Sequence, residues 1–328
     1  MTRAVVLFSG GLDSMLALRI LQQQGLEVEA LNIRTIYTGC EATAAQAAVS
    51  MGARLTVVGV DDDYLEVIRN PMYGYGKGVN PCIDCRIYMC RMAKRFMEEV
   101  GACVVASGEI LGQRPMSQKR QHLEVIARRS GLEGLLLRPL SARLLPPTVA
   151  EQEGLIDRDK LHDFSGRGRR ALIELAERLG ITRPPSPSTG CALTEPSFGR
   201  RVRDLLQFQP AADRWDFDLL NHGRHFRFDE QAKIIVGRNS ADNAALESFA
   251  SSDDAPNVVL LVPEGFRGPH VLVTGVASDS AMAFAGALML RFSGRGAGDR
   301  VGVRLEQSGK VRQLEAKWDE SAGSASPL

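Results

Sequence analysis

No run of apolar residues in this 328-residue sequence approaches the length needed to cross a bilayer, and the N-terminus enters a short strand-like run at once instead of a signal peptide. Both absences lead to the expectation of a cytoplasmic protein with no membrane partner. An excess of either charge is missing as well: 40 basic and 39 acidic residues leave a net +1, a total that can still hide local basic patches. There are six cysteines but no second C-x-x-C pair of the kind that completes a structural zinc site. In a cytoplasmic setting they read as thiols, metal ligands or catalytic groups, not as a disulfide framework. With 44% apolar and 24% charged residues the composition is that of a soluble globular protein, and the length allows two domains with separate cores.

What is present is concentrated first in Ser9-Gly10-Gly11-Leu12-Asp13-Ser14. Upstream, Ala4 to Phe8 form an apolar run of strand length, as expected for a parallel strand buried on both faces. Downstream, Met15, Leu16, Leu18, Ile20 and Leu21 recur at helical spacing until Gly25. A strand, a tight glycine turn and a helix start gather unpaired backbone N–H groups at one point, which makes an anion site. The glycines admit a phosphate close to the backbone, and Ser9 and Ser14 add hydroxyl donors. Asp13 cannot donate once ionised, so it is expected to cap the helix or to orient a metal bound to the phosphates. The lysine of the G-x-x-x-x-G-K-[ST] loop is absent, which argues against ordinary γ-phosphoryl transfer.

This turn resembles the SGGxDS motif of the PP-loop ATPases, which split ATP into AMP and pyrophosphate to adenylate a carbonyl oxygen. Alternating strands and helices over Val28–Ile33, Cys40–Met51 and Leu55–Val60 imply a doubly wound parallel α/β sheet, with ligands at the carboxyl ends of the strands. The resemblance places Asn32 and Ile33 beside the adenine. Asp61 is at the same edge, whereas Asp62 and Asp63 read as a solvated turn and cap. Asn70–Asn80 is a loop, and the strand Cys103–Ala106 leads into Ser107-Gly108-Glu109-Ile110-Leu111-Gly112-Gln113, with Ser117-Gln118 beyond. That pattern resembles the TGE-x-LGQ…SQ stretch of the tRNA 4-thiouridine synthases, which implicates Gly108 and Gln113 in nucleotide binding. Leu135–Leu140 resembles the following strand, but Ser141 to Pro147 departs from the acidic, lysine-bearing signature of that family.

Asn80-Pro81-Cys82-Ile83-Asp84-Cys85-Arg86 carries the C-x-x-C pair, and Thr189-Gly190-Cys191 follows a proline-rich run from Pro184 to Ser188. Zinc, thiol redox chemistry and an iron–sulfur cluster are all open to such a set. Three cysteines at loop-to-element junctions would leave one iron of a [4Fe-4S] cluster open for an exogenous ligand. The pattern resembles the tRNA 2-thiouridine enzymes. By that resemblance Cys82 and Cys191 are the essential pair, and Cys85 favours a cluster. Cys40, Cys90 and Cys103 fall in helical or strand patterns and are expected to pack in the core. These resemblances cover roughly residues 1–205; no stretch of this sequence is expected to form the THUMP domain of the 4-thiouridine synthases or a rhodanese domain, so any RNA is expected to be held by something else.

Residues 206–220 read as a linker, 221–318 as a small α+β domain and 319–328 as a small, polar and disordered tail. Strands are expected at Arg224–Phe228, Lys233–Val236, Val258–Val262 and His270–Thr274, with a helix over Ala241–Ala250. Gly237-Arg238-Asn239 with Asn243, Leu246 and Gly268-Pro269-His270 resembles the RNA-binding domain of NFACT proteins, although the tryptophan-bearing stretch of that domain is not matched. Arg238 and Asn239 suit phosphate and sugar contacts, or the glycines are simply turns of a support domain. The basic residues Arg167, Arg169, Arg170, Arg200, Arg201 and Arg203 are further candidates for the RNA backbone, or are solvated surface.

The expected activity is an ATP- and magnesium-dependent tRNA sulfur transfer. A pyrimidine carbonyl is adenylated, then attacked by sulfur carried on Cys82 or Cys191 or on a cluster held by Cys82, Cys85 and Cys191. The donor would be a desulfurase-derived persulfide or sulfide, and a homodimer is compatible with the sequence without being required. Two rivals stay open: adenylation of a small metabolite, and an RNA-binding protein whose PP-loop is not catalytic.

Overall fold

The computed structural model describes residues 2–37, 41–181, 190–294, 300–307 and 309–328. Cys40 and the stretch from Pro184 to Thr189 lie outside them. The chain divides into two compact units, Met1–Thr194 and Glu195–Leu328.

In the first unit five strands, β1 (Arg3–Leu7), β2 (Glu27–Arg34), β3 (Arg54–Gly59), β4 (Val104–Ser107) and β5 (Leu136–Leu137), form a fully parallel sheet in the order β3-β2-β1-β4-β5. The helices are α1 (Leu12–Gln23), α2 (Glu41–Ser50), α3 (Tyr64–Arg69), α4 (Cys82–Glu99), α5 (Arg120–Arg129), α6 (Val149–Gln152) and α7 (Arg170–Arg178). β1 is the central strand, and its Ala4, Val5 and Val6 have no exposed surface. A strand covered on both faces needs an unbroken apolar run, which is why its sequence does not alternate. α1 buries Leu16, Ala17, Leu18 and Leu21 in the main core and stops at Gly25. There φ is +82°, and the Leu26 N–H closes back on the Leu21 carbonyl at 3.3 Å. From β1 the chain runs outward to β2 and β3, then returns to place β4 on the other side. The topological switch point, where doubly wound sheets bind ligands, therefore lies at the carboxyl ends of β1 and β4.

The second unit opens with α8 (Pro196–Phe208) and α9 (Arg214–Leu219), followed by β6 (Arg224–Arg227), β7 (Ala232–Val236), α10 (Ser240–Ser251), β8 (Val259–Pro263), β9 (Val271–Gly275), α11 (Asp279–Arg291), β10 (Arg300–Gln307), β11 (Lys310–Lys317) and α12 (Glu320–Ser324). Its six strands are antiparallel, in the order β11-β10-β8-β9-β7-β6. Alternation along β7 sends Ile234 and Val236 into one core with Leu288 and Met289 of α11. Ile235 goes into another, with Trp215 and Leu246.

Two expectations are corrected here. The span 206–220 is not an extended linker: it completes α8 and contains α9, where Asp213 caps the helix by accepting from the Asp216 N–H and Trp215 is buried. The C-terminal residues are not disordered. Asp319 caps α12, the Ala322 side chain is buried, and the Arg291 guanidinium donates to the carbonyls of Ala322 and Ala325. The Leu328 N–H adds a 2.9 Å bond to the His225 carbonyl. Small polar residues looked unable to bury a core, but their backbone carbonyls are held by an arginine from a neighbouring helix.

The second unit depends on one buried ionic group. Asp204 of α8 is 6% exposed and takes Arg227 at 2.7 and 2.8 Å and Lys233 at 2.9 Å. Burial opposes the charge on Asp204, but Arg227 and Lys233 overcome it and hold the carboxyl below its ordinary value. Both tryptophans, Trp215 and Trp318, lie in this unit, so tryptophan fluorescence reports its unfolding alone. Asp204→Asn strands a buried Lys233, and we expect it to cost about 3–5 kcal/mol. A fluorescence-monitored denaturation midpoint equal to that of the wild type would contradict this.

Candidate active site

The loop after β1 turns at Gly10, where φ is +75°, and a Cβ there would lie 2.8 Å from the Ala44 Cα of α2. Only glycine fits that conformation against that neighbour. Gly11 occupies the N-cap position of α1 with no side-chain cap, which leaves the N–H groups of the first turn open. The Ser14 Oγ donates to the Gly11 carbonyl at 2.8 Å and lies 3.4 Å from the Ser9 Oγ. The two hydroxyls thus stand side by side at the helix start.

A cleft of about 120 Å³ opens at this turn. Ser9, Asp13, Ser14, Asn32, Ile33, Gly108 and Gln113 all line it, whereas Gly10 and Gly11 shape the turn without forming the wall. Asn32 is fixed by its amide, which donates to the Phe8 carbonyl at 2.8 Å. Gly108 is pressed against α1, and a Cβ there would collide with the Asp13 carbonyl and the Ser14 nitrogen. This close approach brings Gln113 within 3.0 Å of the Asp13 carboxylate, to which its Nε2 donates. Asp13 therefore does not cap the helix, as one expectation had it. Burial pushes its carboxyl upward, against the Gln113 hydrogen bond and the charges of Arg114 and Arg169. A desolvated carboxylate with one protein donor, beside an anion turn, is chemically suited to a hydrated magnesium carried by phosphates.

The loop from Glu109 to Gln118 is tied down from several sides. The Leu111 N–H donates to the Ser141 Oγ at 3.0 Å, Ser141 donates to the Phe164 carbonyl at 2.7 Å, and Gln118 bonds back to the nitrogens of Gly112 and Arg114. Ser141, in the stretch that departs from the family signature, thus supports the cleft. Beneath it Glu109, 3% exposed, accepts from Arg138 at 3.1 Å and Ser107 at 3.2 Å and lies 3.5 Å from Arg86. Burial raises the Glu109 carboxyl, but the two guanidiniums outweigh it and keep it below the usual value. Sequence reading missed Arg86, Arg114 and Arg138. Arg86 and Glu109 stand in two quoted motifs, but nothing in either spacing shows that they pair.

The thiols sit on the same helix that supplies Arg86. Cys82 is the first residue of α4, and its sulfur takes the Asn80 amide at 3.1 Å; the Cys85 sulfur takes the Tyr64 hydroxyl at 3.2 Å. The Val79 N–H bonds to the Leu193 carbonyl at 3.2 Å, and a Cβ on Gly78 would strike that same carbonyl, so the loop before Cys82 packs against the Cys191 segment. Burial pushes the Cys85 thiol up to about 11, opposed by Tyr64 and Arg86, while charge on Cys191 or Cys82 would push it further. Three thiols are the right donors for an iron–sulfur cluster, but among the described residues no three Cys, His, Asp or Glu side chains converge as a metal site. The arrangement does not fit a cluster, and no chemical step is derived through one. Cys90 is buried, and Cys103 packs on the main core.

The basic candidates separate. Arg167 and Arg170 are exposed, with Arg170 bonded to Glu174, while Arg169 is close enough to act on the charge of Asp13. In the second unit Arg200 and Arg203 are exposed, and Arg201 donates to the Leu220 carbonyl at 3.0 Å. Arg238 is engaged by both oxygens of Asp242, at 2.6 and 3.1 Å, and the Asn239 side chain caps α10 by accepting from the Asp242 N–H at 2.9 Å. Asn243 accepts from the His270 N–H at 3.1 Å, and the Gly237 N–H bonds to the His270 carbonyl at 3.0 Å. Much of the GRN…N…GPH pattern is therefore explained by the way it knots β7, α10 and β9 together.

The fold and cleft define a class: a doubly wound α/β unit with a glycine turn and an uncapped helix start at its switch point and thiols on the adjoining helix, followed by an antiparallel α+β unit. Comparison with known proteins refines each unit. Residues 1–143 match the family described as thiamine biosynthesis protein (ThiI), and residues 223–321 match the NFACT protein RNA binding domain. A tRNA-specific 2-thiouridylase MnmA of Sulfurimonas denitrificans is 31% identical over 121 residues, 34% of this chain and 36% of that protein. The protein of that name from Pelobacter propionicus is 25% identical over 175 residues, 50% of this chain and 49% of that protein. The chain spans half or less of the length of these relatives. A solved chain described as a predicted subunit of tRNA methyltransferase from Methanocaldococcus jannaschii is 18% identical, with a TM-score of 0.34 over 47% of this chain and 74% of that one.

Gly108→Ala should force the first turn of α1 off β4, with an overpacking cost of about 1–3 kcal/mol. The measurement is thermal unfolding followed by far-ultraviolet circular dichroism. An unshifted midpoint would mean that the glycine contact does not hold the cleft together.

Proposed function

We propose that the chain is an ATP-dependent tRNA sulfurtransferase working in the cytoplasm. The observation that carries this reading is that one helix, α4, supplies both a wall of the anion-binding cleft and the Cys82–Cys85 pair. The ThiI match over the first unit, the relatives named tRNA-specific 2-thiouridylase and the NFACT RNA-binding match over the second unit support it.

ATP binds with its phosphates on the Ser9–Ser14 turn and its adenine by Asn32 and Ile33. Asp13 would hold magnesium, which would neutralise the phosphates. A pyrimidine taken out of its stack presents a carbonyl oxygen to the α-phosphorus, and the bond to pyrophosphate breaks as the new P–O bond forms. The Cys82 thiolate attacks the outer sulfur of a donor persulfide and the donor thiol leaves, so that Cys82 carries the sulfur as a persulfide. Its outer sulfur attacks the activated carbon, and AMP leaves with the oxygen. The Cys191 thiolate then attacks the Cys82 sulfur, frees the thiocarbonyl and forms a Cys82–Cys191 disulfide, which a thiol reductant reopens. The exposed Arg167, Arg170, Arg200 and Arg203 are proposed contacts for tRNA phosphates, with Arg201, Arg238 and Asn239 shaping the second unit.

Replacing Asp13 or Ser14 with alanine should abolish pyrophosphate release from ATP in the presence of unmodified tRNA. Release at the wild-type rate in both variants would overturn the nucleotide site.

A further inference from the structure

Arg86 stands where the cleft and the thiol-bearing helix meet. It follows Cys85 on α4, and its side chain forms part of the same cleft wall as Ser9, Asp13 and Ser14. That side chain is only 26% exposed. Its Nε faces Glu109 Oε1, and among the described residues its guanidinium donates no hydrogen bond within normal range. A guanidinium has five N–H donors in a planar fork, and those of Arg86 stand at the wall of the cleft, open to a ligand in it. Glu109 brings one negative charge against two guanidiniums, because Arg138 already occupies its other oxygen. One positive charge is therefore left over at the cleft wall, on the residue with unused donors.

We propose that Arg86 is a further catalytic residue, which contacts the α-phosphate of the bound nucleotide, and that Glu109 positions it. This rests on the functional reading above and assigns a contact within that site. The Ser9 turn and the N-terminus of α1 take the phosphates that leave as pyrophosphate. The phosphate that stays on the base must face the side from which sulfur comes, and α4 carries both Arg86 and Cys82. As the base oxygen bonds to the α-phosphorus, the phosphorus–oxygen bond to pyrophosphate breaks and its electron pair leaves with pyrophosphate. Arg86 stabilises the charge on the non-bridging oxygens in that exchange, with a bidentate geometry that lysine lacks.

The test uses the full chain with ATP and unmodified tRNA, and compares wild type with Arg86→Gln, Arg86→Lys and Arg86→Ala. Pyrophosphate release at saturating ATP should fall about 100- to 1000-fold in Arg86→Gln, the loss usual for one donor to a developing charge. ATP affinity by equilibrium dialysis should be largely retained, Arg86→Lys should recover part of the rate, and added guanidinium ion should raise the rate of Arg86→Ala. Wild-type rates in Arg86→Gln would overturn the proposal while the functional reading stands. So would a loss that neither lysine nor guanidinium relieves and that removes ATP affinity as well, because that is the pattern of a structural role. A wild-type chain that releases no pyrophosphate would overturn the functional reading, and this assignment with it.

Discussion

The cleft depends on a single close approach, the packing of the Gly108 backbone against the first turn of α1. Because β4 ends there, parallel to β1, the turn that gathers free N–H groups and the loop that carries Glu109 and Gln113 meet at one point. A side chain at 108 would separate them. The helix dipole, the paired hydroxyls of Ser9 and Ser14 and the Asp13–Gln113 bond all act at the spot this contact defines.

Charge is arranged around that spot in graded degrees of burial. Glu109 is the innermost group and is kept ionised only by the guanidiniums on either side of it, one from β5's end and one from α4. Asp13 is less buried, and burial raises its carboxyl against the Gln113 hydrogen bond and the charges of Arg114 and Arg169. The thiols lie further along α4, with Cys85 screened by Tyr64 and Cys82 met by Asn80. The second unit repeats the physics: Asp204 is buried and paired with Arg227 and Lys233, which fastens α8 to the sheet.

Much of this was legible in the sequence where a local rule applies. The unbroken apolar run of β1, the glycine turn and the helical spacing of α1 are properties of neighbouring residues, and the nucleotide-side residues Ser9, Asp13, Ser14, Asn32, Ile33, Gly108 and Gln113 do line one cleft. The arginines were not legible, because Arg86 and Arg138 reach Glu109 across 23 and 29 positions of chain, and no period links them. The reading of 319–328 as disordered failed for a related reason: composition describes what a segment can bury, not which distant Arg291 holds its carbonyls. Arg238 and Asn239 show the converse, since residues chemically suited to phosphate are also suited to Asp242 and to a helix cap.

The most direct measurement is the stoichiometry of two products in one reaction. The full chain is incubated with ATP, magnesium, a persulfide donor, a thiol reductant and unmodified tRNA, while pyrophosphate and thiolated nucleoside are counted together. Sulfur transfer through an adenylated base predicts one pyrophosphate released for each sulfur found in the digested tRNA, and neither product when tRNA is left out. Pyrophosphate released at full rate without tRNA, or sulfur in tRNA formed without ATP, would contradict it.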